Sequence, residues 1–407
     1  MKSPSHAITA QDNANAFGGA ENLASILMAM RSFLAGRQDE ILESICKLVE
    51  TESPSGDFEG SRAVVDILVE TAGTISAINS VERIPVPGYG EHLRMRAFSD
   101  HVADSSTTLV LGHTDTVHPR GTLLTQTLRT EEGCLFGPGV FDMKAACVVA
   151  LEALRALAVL GVTPNRPVVL LLTCDEEAGS LTGRGLVEEE ARRAAQALVL
   201  EPPAPDGRVK TARKGVGMWT VAAQGIAAHA GLDPEAGASA ILELARQTEK
   251  LHSMNDPSTG TNFNVGVVKG GTRCNVVAAK AEIELDVRFS CMKEAQRVNE
   301  LMSDLRPFDE RVSLTVKGGI NRPPLERTPG VMKLYDHART IAASLGFELG
   351  EEAVGGASDG NFVAALDVPV LDGLGMAGGG AHAANEHIFI TDIARRGALI
   401  AGLIATL

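Results

Sequence analysis

The sequence predicts an α/β fold: a mainly parallel-sheet domain interrupted by an inserted α+β domain. Three observations carry this. Apolar, strand-like runs at Thr107–His113 and Val168–Thr173 flank an Ala-rich amphipathic helix over residues 145–157. Strand, helix, strand in that order, with strands apolar throughout, marks a parallel sheet covered on both faces. Past the proline-rich join PPAPDGR (residues 202–208), WTVAAQG and AEIELDVRF alternate polar and apolar as half-exposed strands do. Beyond a second such join, INRPPLE (320–326), the chain returns to helix–strand alternation.

Taken in order, residues 1–25 read as a flexible extension. From about Ala24 apolar positions at helical spacing run through Ile41, Ile45 and Leu48, one long helix. The strand TTLVLGH, the Ala-rich helix and VVLLLT follow, and ALVLE forms a further strand closed by Glu201. Residues 26–213 thus form the first part of the α/β domain and 214–322 the insertion, with GASAILELARQTEKL as its helix and TNFNVGVVKGG as another strand. Residues 323–407 complete the α/β domain. A chain of 407 residues is too long for one compact core, which agrees with two domains. No internal repeat or low-complexity tract is visible.

Composition excludes several classes. The formal charge of −14, with no clustered basic stretch, argues against nucleic acid or an anionic membrane as partner. The first 25 residues hold no continuous apolar run, and no later segment reaches the ~18 apolar residues of a membrane span. Six cysteines are scattered without a CxxC pair, which suits free thiols in a reducing cytoplasm.

Chemistry-bearing residues collect at strand ends. LVLGHTDTV places His113 and Asp115 two residues apart, on one side of a strand. A carboxylate there can hold the second nitrogen of a metal-bound imidazole, although a polar surface turn has the same look. Asp142, in GPGVFDMKAA, is either a helix N-cap or a ligand. VVLLLTCDEEAGS ends in Asp175, Glu176 and Glu177, a repulsive cluster unless a cation sits nearby. Glu201 and, after a glycine-rich loop, His382 complete the set. Histidine and carboxylate ligands without cysteine suit zinc or a similar divalent ion, and a shared carboxylate would give a two-metal centre.

HTDTV, GPGVFDMK, DEEAGS, LEP, AAHAG, NVVAAKAEIELDVRF and GGGAHAANEH, in this order from about residue 40 to the end, resemble the M20 family of metallopeptidases and deacylases. Within it, HPRGTL, DEEAGS and the LEP glutamate look most like the bacterial glutamate carboxypeptidases. The resemblance implies a zinc-peptidase catalytic domain with an inserted ferredoxin-like dimerisation or lid domain, and a cytoplasmic homodimer formed through it. It implies two Zn2+, with Co2+ or Mn2+ as substitutes: His113, Asp142 and Glu201 hold one ion, and Asp142, Glu177 and His382 the other. Asp115 would orient His113, and Glu176 would be the general base. A cis peptide would follow Asp142. His229 would stabilise the oxyanion at a partner's site, while Asn275 and Arg288 would grip the substrate's free carboxylate. Arg208 and Arg322 lie near the positions that read an acidic side chain, and Ser358 belongs to a motif lining the site. Taken alone, His229 reads as a loop histidine and Arg288 as a surface charge. The family glycine after the DMK lysine is replaced by Ala145, which bears on helix packing.

The implied function is hydrolysis of an N-acyl or peptidyl amino acid, with release of a C-terminal glutamate or similar residue. The nearest alternative is an N-acyl-amino-acid deacylase of the acetylornithine or succinyl-diaminopimelate type. A non-catalytic metal-binding module conflicts with every expected catalytic position being filled. A nucleotide-binding fold lacks any GxGxxG or GxxxxGK[ST] at a strand–helix junction.

Overall fold

The computed structural model describes residues 20–99 and 106–407. Most of the expected N-terminal extension, residues 1–19, lies outside them; residues 20–25 are already helical. Among the described residues two compact units emerge, one of residues 20–99, 106–211, 327–353 and 362–407, the other of residues 212–326 and 354–361.

Along the chain come helices α1 (Ala20–Gly36), α2 (Gln38–Glu50) and α3 (Phe58–Ala72), then strands β1 (Ile78–Val86), β2 (Gly90–Ala97) and β3 (Thr107–His113). Short strands β4 (Arg129–Glu131) and β5 (Cys134–Phe136) precede α4 (Ala145–Val159), β6 (Val168–Thr173), α5 (Arg184–Ala191), β7 (Ala194–Val199) and β8 (Val209–Arg213). The insertion contributes β9 (Gly215–Gln224), α6 (Ala240–His252), β10 (Asn262–Gly270), β11 (Lys280–Phe289), α7 (Met292–Ser303) and β12 (Ser313–Arg322). The chain ends with α8 (Pro329–Ser344), β13 (Glu351–Val354), α9 (Gly360–Ala364), β14 (Val370–Leu371), β15 (Gly378–Gly379), β16 (His387–Phe389) and α10 (Ile393–Thr406).

The first unit is built on a six-stranded sheet of order β1-β2-β6-β3-β7-β14. Its β6-β3-β7-β14 portion is parallel, while β1 and β2 add an antiparallel edge. Every residue of β3 and β6 is buried, as expected for strands covered on both faces. Helix α4, buried nearly all round, packs with α1, α2 and α10. Parallel register brings three strand ends to one edge: His113 lies opposite Thr173, and Leu111 opposite Val199. Active sites of parallel α/β sheets form outside that edge.

The second unit runs β-α-β-β-α-β, with sheet order β10-β11-β9-β12 and every neighbouring pair antiparallel. That is the ferredoxin-like arrangement. Alternate residues of β9 and β11, among them Trp219, Val221, Ile283, Leu285 and Val287, join α6 and α7 in a separate core.

Two expectations need correction, and one of two open readings is excluded. The single long N-terminal helix is two helices broken at Arg37, after Gly36, a poor helix former. Strand β7 stops at Val199, so Glu201 stands two residues beyond it; Leu200 makes the last bond, to Leu111. Asp142 is not a helix cap: it sits in an irregular turn over Val140–Lys144, before α4 begins at Ala145.

Candidate metal centre

The edge formed by β3, β6 and β7 gathers two groups of ligand-type side chains: His113, Asp142 and Glu201, and Asp142, Glu177 and His382. Asp142 belongs to both. Its Oδ1 lies 3.2 Å from His113 Nε2, and its Oδ2 lies 3.3 Å from His382 Nε2. One carboxylate thus faces two imidazoles with different oxygens. Glu201 Oε1 is 3.6 Å from His113 Nε2, and Glu177 Oε1 is 3.3 Å from His382 Nε2.

The supporting contacts orient these donors. The ring Nδ1 of His113 is engaged by the Asp115 carbonyl at 2.9 Å, with the Asp115 carboxylate farther off at 3.4 Å. The second nitrogen is therefore held by main chain first, and Nε2 points into the group. The Asp115 carboxylate itself accepts from the Glu176 and Glu177 amides at 3.2 and 3.1 Å and from Ser55 Oγ at 2.5 Å. It orients the Asp175–Glu177 turn as much as His113. Asp175, fully buried, accepts from the Thr182 amide (2.6 Å), the Thr182 hydroxyl and the Gly183 amide, so it closes that turn.

Asp142 is placed by a turn whose first residue, Gly139, adopts φ +72°, and a Cβ there would come within 2.5 Å of Thr116 Cγ2. Only glycine fits. The peptide between Asp142 and Met143 is cis. Behind the turn the buried Lys144 ammonium donates to the Thr51 carbonyl at 2.6 Å, and burial pulls its pKa down to about 8.

Charge balance shows what the cluster accepts. Burial disfavours a charged His113, but hydrogen bonds to Asp115 and Asp142, with the charges of Asp115 and Glu201, raise its pKa well above the usual histidine range. The nearby Asp142 and Glu177 carboxylates push His382 up to about 10. Burial opposes the charge of Asp142, yet both histidines hold its carboxyl well below the usual range. Protons on two imidazoles here do the electrostatic work of cations. Glu177 Oε1 is buried and meets no donor in hydrogen-bond geometry despite its approach to His382. An orphaned carboxylate oxygen, three carboxylates and two imidazoles fit two divalent ions ligated by nitrogen and oxygen. Cysteine chemistry does not compete: burial pushes the Cys147 and Cys174 thiols up to about 12, and no cysteine is paired.

The remaining residues predicted from sequence divide by unit. Glu176 stands outside both ligand groups, next to Glu177 within one. In the second unit His229 is exposed, and its Nδ1 accepts from the Gly231 and Leu232 amides at 3.1 and 3.2 Å. The proton therefore sits on Nε2, which presents a donor. The Ala230 amide donates to the Asn275 carbonyl, so His229 and Asn275 stand side by side. Arg288 is bound along one edge by Asp286, Nε to Oδ1 at 2.7 Å and Nη2 to Oδ2 at 2.8 Å. Arg322 pairs with Asp359 at 3.2 Å, both buried. Ser358 is fully buried and its hydroxyl accepts from the Gly360 amide, so it shapes its own loop. Arg208, in the first unit, pairs with Glu352 at 3.0 Å.

Sequence reasoning missed Glu386 and His118, a buried pair 2.6 Å apart beside the Asp142 turn. HPRGTL, which begins at His118, and the NEH that follows His382 were the available signals.

A parallel sheet whose strand ends hold two histidine–carboxylate groups around one shared aspartate defines a metal-dependent hydrolase. The chain belongs to peptidase family M20/M25/M40, which it matches over residues 109–406. It is 30% identical over 390 residues to carboxypeptidase G2 of Pseudomonas sp. (strain RS-16), covering 91% of this chain and 90% of that enzyme. It is 27% identical over 309 residues to the succinyl-diaminopimelate desuccinylase of Verminephrobacter eiseniae, covering 70% and 75%. Among solved structures, aminopeptidase PepT from Bacillus cereus superposes with a TM-score of 0.72 at 22% identity, covering 90% of this chain and 98% of that one.

Proposed function

We propose that the protein is a di-zinc amidohydrolase that releases a C-terminal acidic amino acid, glutamate or one like it, from an N-acyl or peptidyl substrate. The observation that carries the reading is the division of one carboxylate, Asp142, between two imidazole-containing groups. His113, Asp142 and Glu201 would hold one ion, and Asp142, Glu177 and His382 the other. Bound there, such ions polarise a carbonyl and make water nucleophilic at neutral pH.

The chain's own residues supply the rest. Glu176 is fixed at its amide by Asp115 and is not needed as a ligand. It takes the proton from the attacking water and delivers it to the leaving nitrogen, the general acid–base role. His229 would offer its Nε2–H to the oxyanion that develops on the scissile carbonyl at a partner's site. Arg288 keeps the Nη1 side of its guanidinium clear of the Asp286 pair, and that side, with Asn275, receives the substrate's free carboxylate. Arg208 and Arg322 would read an acidic side chain by exchanging their present carboxylate partners for the substrate's.

Similarity to carboxypeptidase G2 over nearly the whole of both chains supports the carboxypeptidase reading. Similarity to desuccinylases supports the alternative, removal of an acyl group from a basic or diamino acid. Hydrolysis of N-acylglutamates by the zinc-loaded protein, compared with N-succinyl and N-acetyl diamino acids, decides between them; turnover of the latter alone sinks the carboxypeptidase reading.

We also propose that the protein acts in the cytoplasm as a homodimer formed through the inserted unit. β10 is an edge strand of its sheet, and Ile226, Leu232, Ile241, Leu242, Val267 and Val268 of that unit are exposed. No described helix is long and apolar enough to cross a membrane. A monomeric mass in solution would contradict the dimer.

A further inference from the structure

We infer that Glu386, clasped by His118, is a positioning residue that sets the shared aspartate against His382 and so controls occupancy of the Asp142–Glu177–His382 group. The inference rests on the two-ion reading and adds to it a residue that touches neither ion.

The Glu386 side chain is 1% exposed and its acceptors are spent on one short stretch of chain and on His118. Oε1 accepts from the Phe141 and Asp142 amides, both at 2.9 Å. Oε2 accepts from the Gly139 amide at 2.8 Å and from His118 Nε2 at 2.6 Å. The Glu386 carbonyl accepts from the Gly137 amide at 3.1 Å. The turn that carries Asp142 therefore hangs from one carboxylate some 245 residues away in sequence.

That carboxylate lies four residues after His382, on the same tight loop. The Ala383 amide donates to Gly380 and the Glu386 amide to Ala383, closing the loop between ligand and clasp. Glu386 thus ties the backbone of one ligand to the backbone of another, whose side chains meet at 3.3 Å. His113 and Glu201 sit at or just beyond strand ends and need no such tie. Loss of Glu386 should accordingly weaken one group more than the other.

Glutamine at 386 keeps the shape but has one acceptor oxygen, and its NH2 would face donors. Outer residues that orient ligands change metal affinity 10–100-fold. In Glu386→Gln, chelator competition followed by metal analysis should show the weaker zinc lost about 10–100-fold more readily while the tighter one stays. Hydrogen exchange should speed up at the Gly139, Phe141 and Asp142 amides. His118→Asn, which removes one donor to Oε2, should shift both readouts the same way by less. Glu190→Gln removes another buried carboxylate, one that binds Arg94 and Arg96, and serves as the stability control. It should lower Tm without moving the second zinc. A wild-type chain holding two zinc ions, with Glu386→Gln and His118→Asn folded and their second zinc as tight as wild type, overturns the clasp alone. A wild-type chain that takes up a single zinc overturns the two-ion reading, and the clasp with it.

Discussion

The two ligand groups share Asp142 but are built differently. The His113 side chain is 1% exposed and ends a fully buried strand, with its other nitrogen fixed by main chain. The His382 side chain is 51% exposed, on a glycine-rich loop, at φ +62°. One group is part of the core, and the other is laid over it by a loop. The difference teaches where rigidity comes from: the sheet holds the first group directly, whereas the second depends on contacts such as those of Glu386. The inner group should bind its ion more tightly and exchange it more slowly.

Substitutions can break or sharpen this contrast. The largest effect belongs to Asp142→Asn, which removes the charge common to both groups; kcat should fall by at least ~10³-fold. Glu176→Ala should keep the metal and lose about 10²–10⁴-fold in kcat, the usual span for a general acid–base group. Were it to lose metal as well, Glu176 would be a ligand and the division of labour with Glu177 would be wrong. Arg288→Lys should raise KM with little change in kcat, because an ammonium cannot reproduce the guanidinium's second edge once Asp286 holds the first. Steady-state kinetics on one acylglutamate series checks both.

The smallest effect is a pH dependence of the outer group. The folded-state pKa of His382, about 10, exceeds the ordinary 6.5 of the unfolded chain. In the chelated protein its proton therefore stabilises the fold fully below about 6.5, and this contribution is lost as pH rises through about 10. Thermal melts of chelated protein should show a decline towards pH 10 that is smaller in His382→Ala, the remainder coming from His113, whose pKa is also raised. Zinc uptake near neutral pH should release protons, since zinc displaces them from imidazole.

Most of the histidines and carboxylates that the fold gathers were legible because they sit beside a recognisable local pattern: HTD at the end of β3, DEE and LE just past β6 and β7, and a glycine run before His382. Other features were hidden for physical reasons. β1 mixes polar, charged and apolar residues and holds a proline, and β2 carries two arginines among its apolar residues, so neither reads as an apolar strand, and the antiparallel sheet edge went unseen. Glu386 acts by accepting main-chain amides from a distant turn, which leaves no periodicity or spacing to find. The arginines show the converse. Their type suggested anion binding, but Arg208, Arg288 and Arg322 each already hold a carboxylate of this chain, pairings that only the fold reveals.

One aspartate joining two unequal metal sites would show in the metal stoichiometry. Zinc should be counted per chain after equilibrium dialysis of the wild type, His382→Ala and Asp142→Asn. The wild type should hold two ions, His382→Ala one, and Asp142→Asn neither tightly. Two tightly held ions in Asp142→Asn, or the same count in His382→Ala as in the wild type, would contradict it.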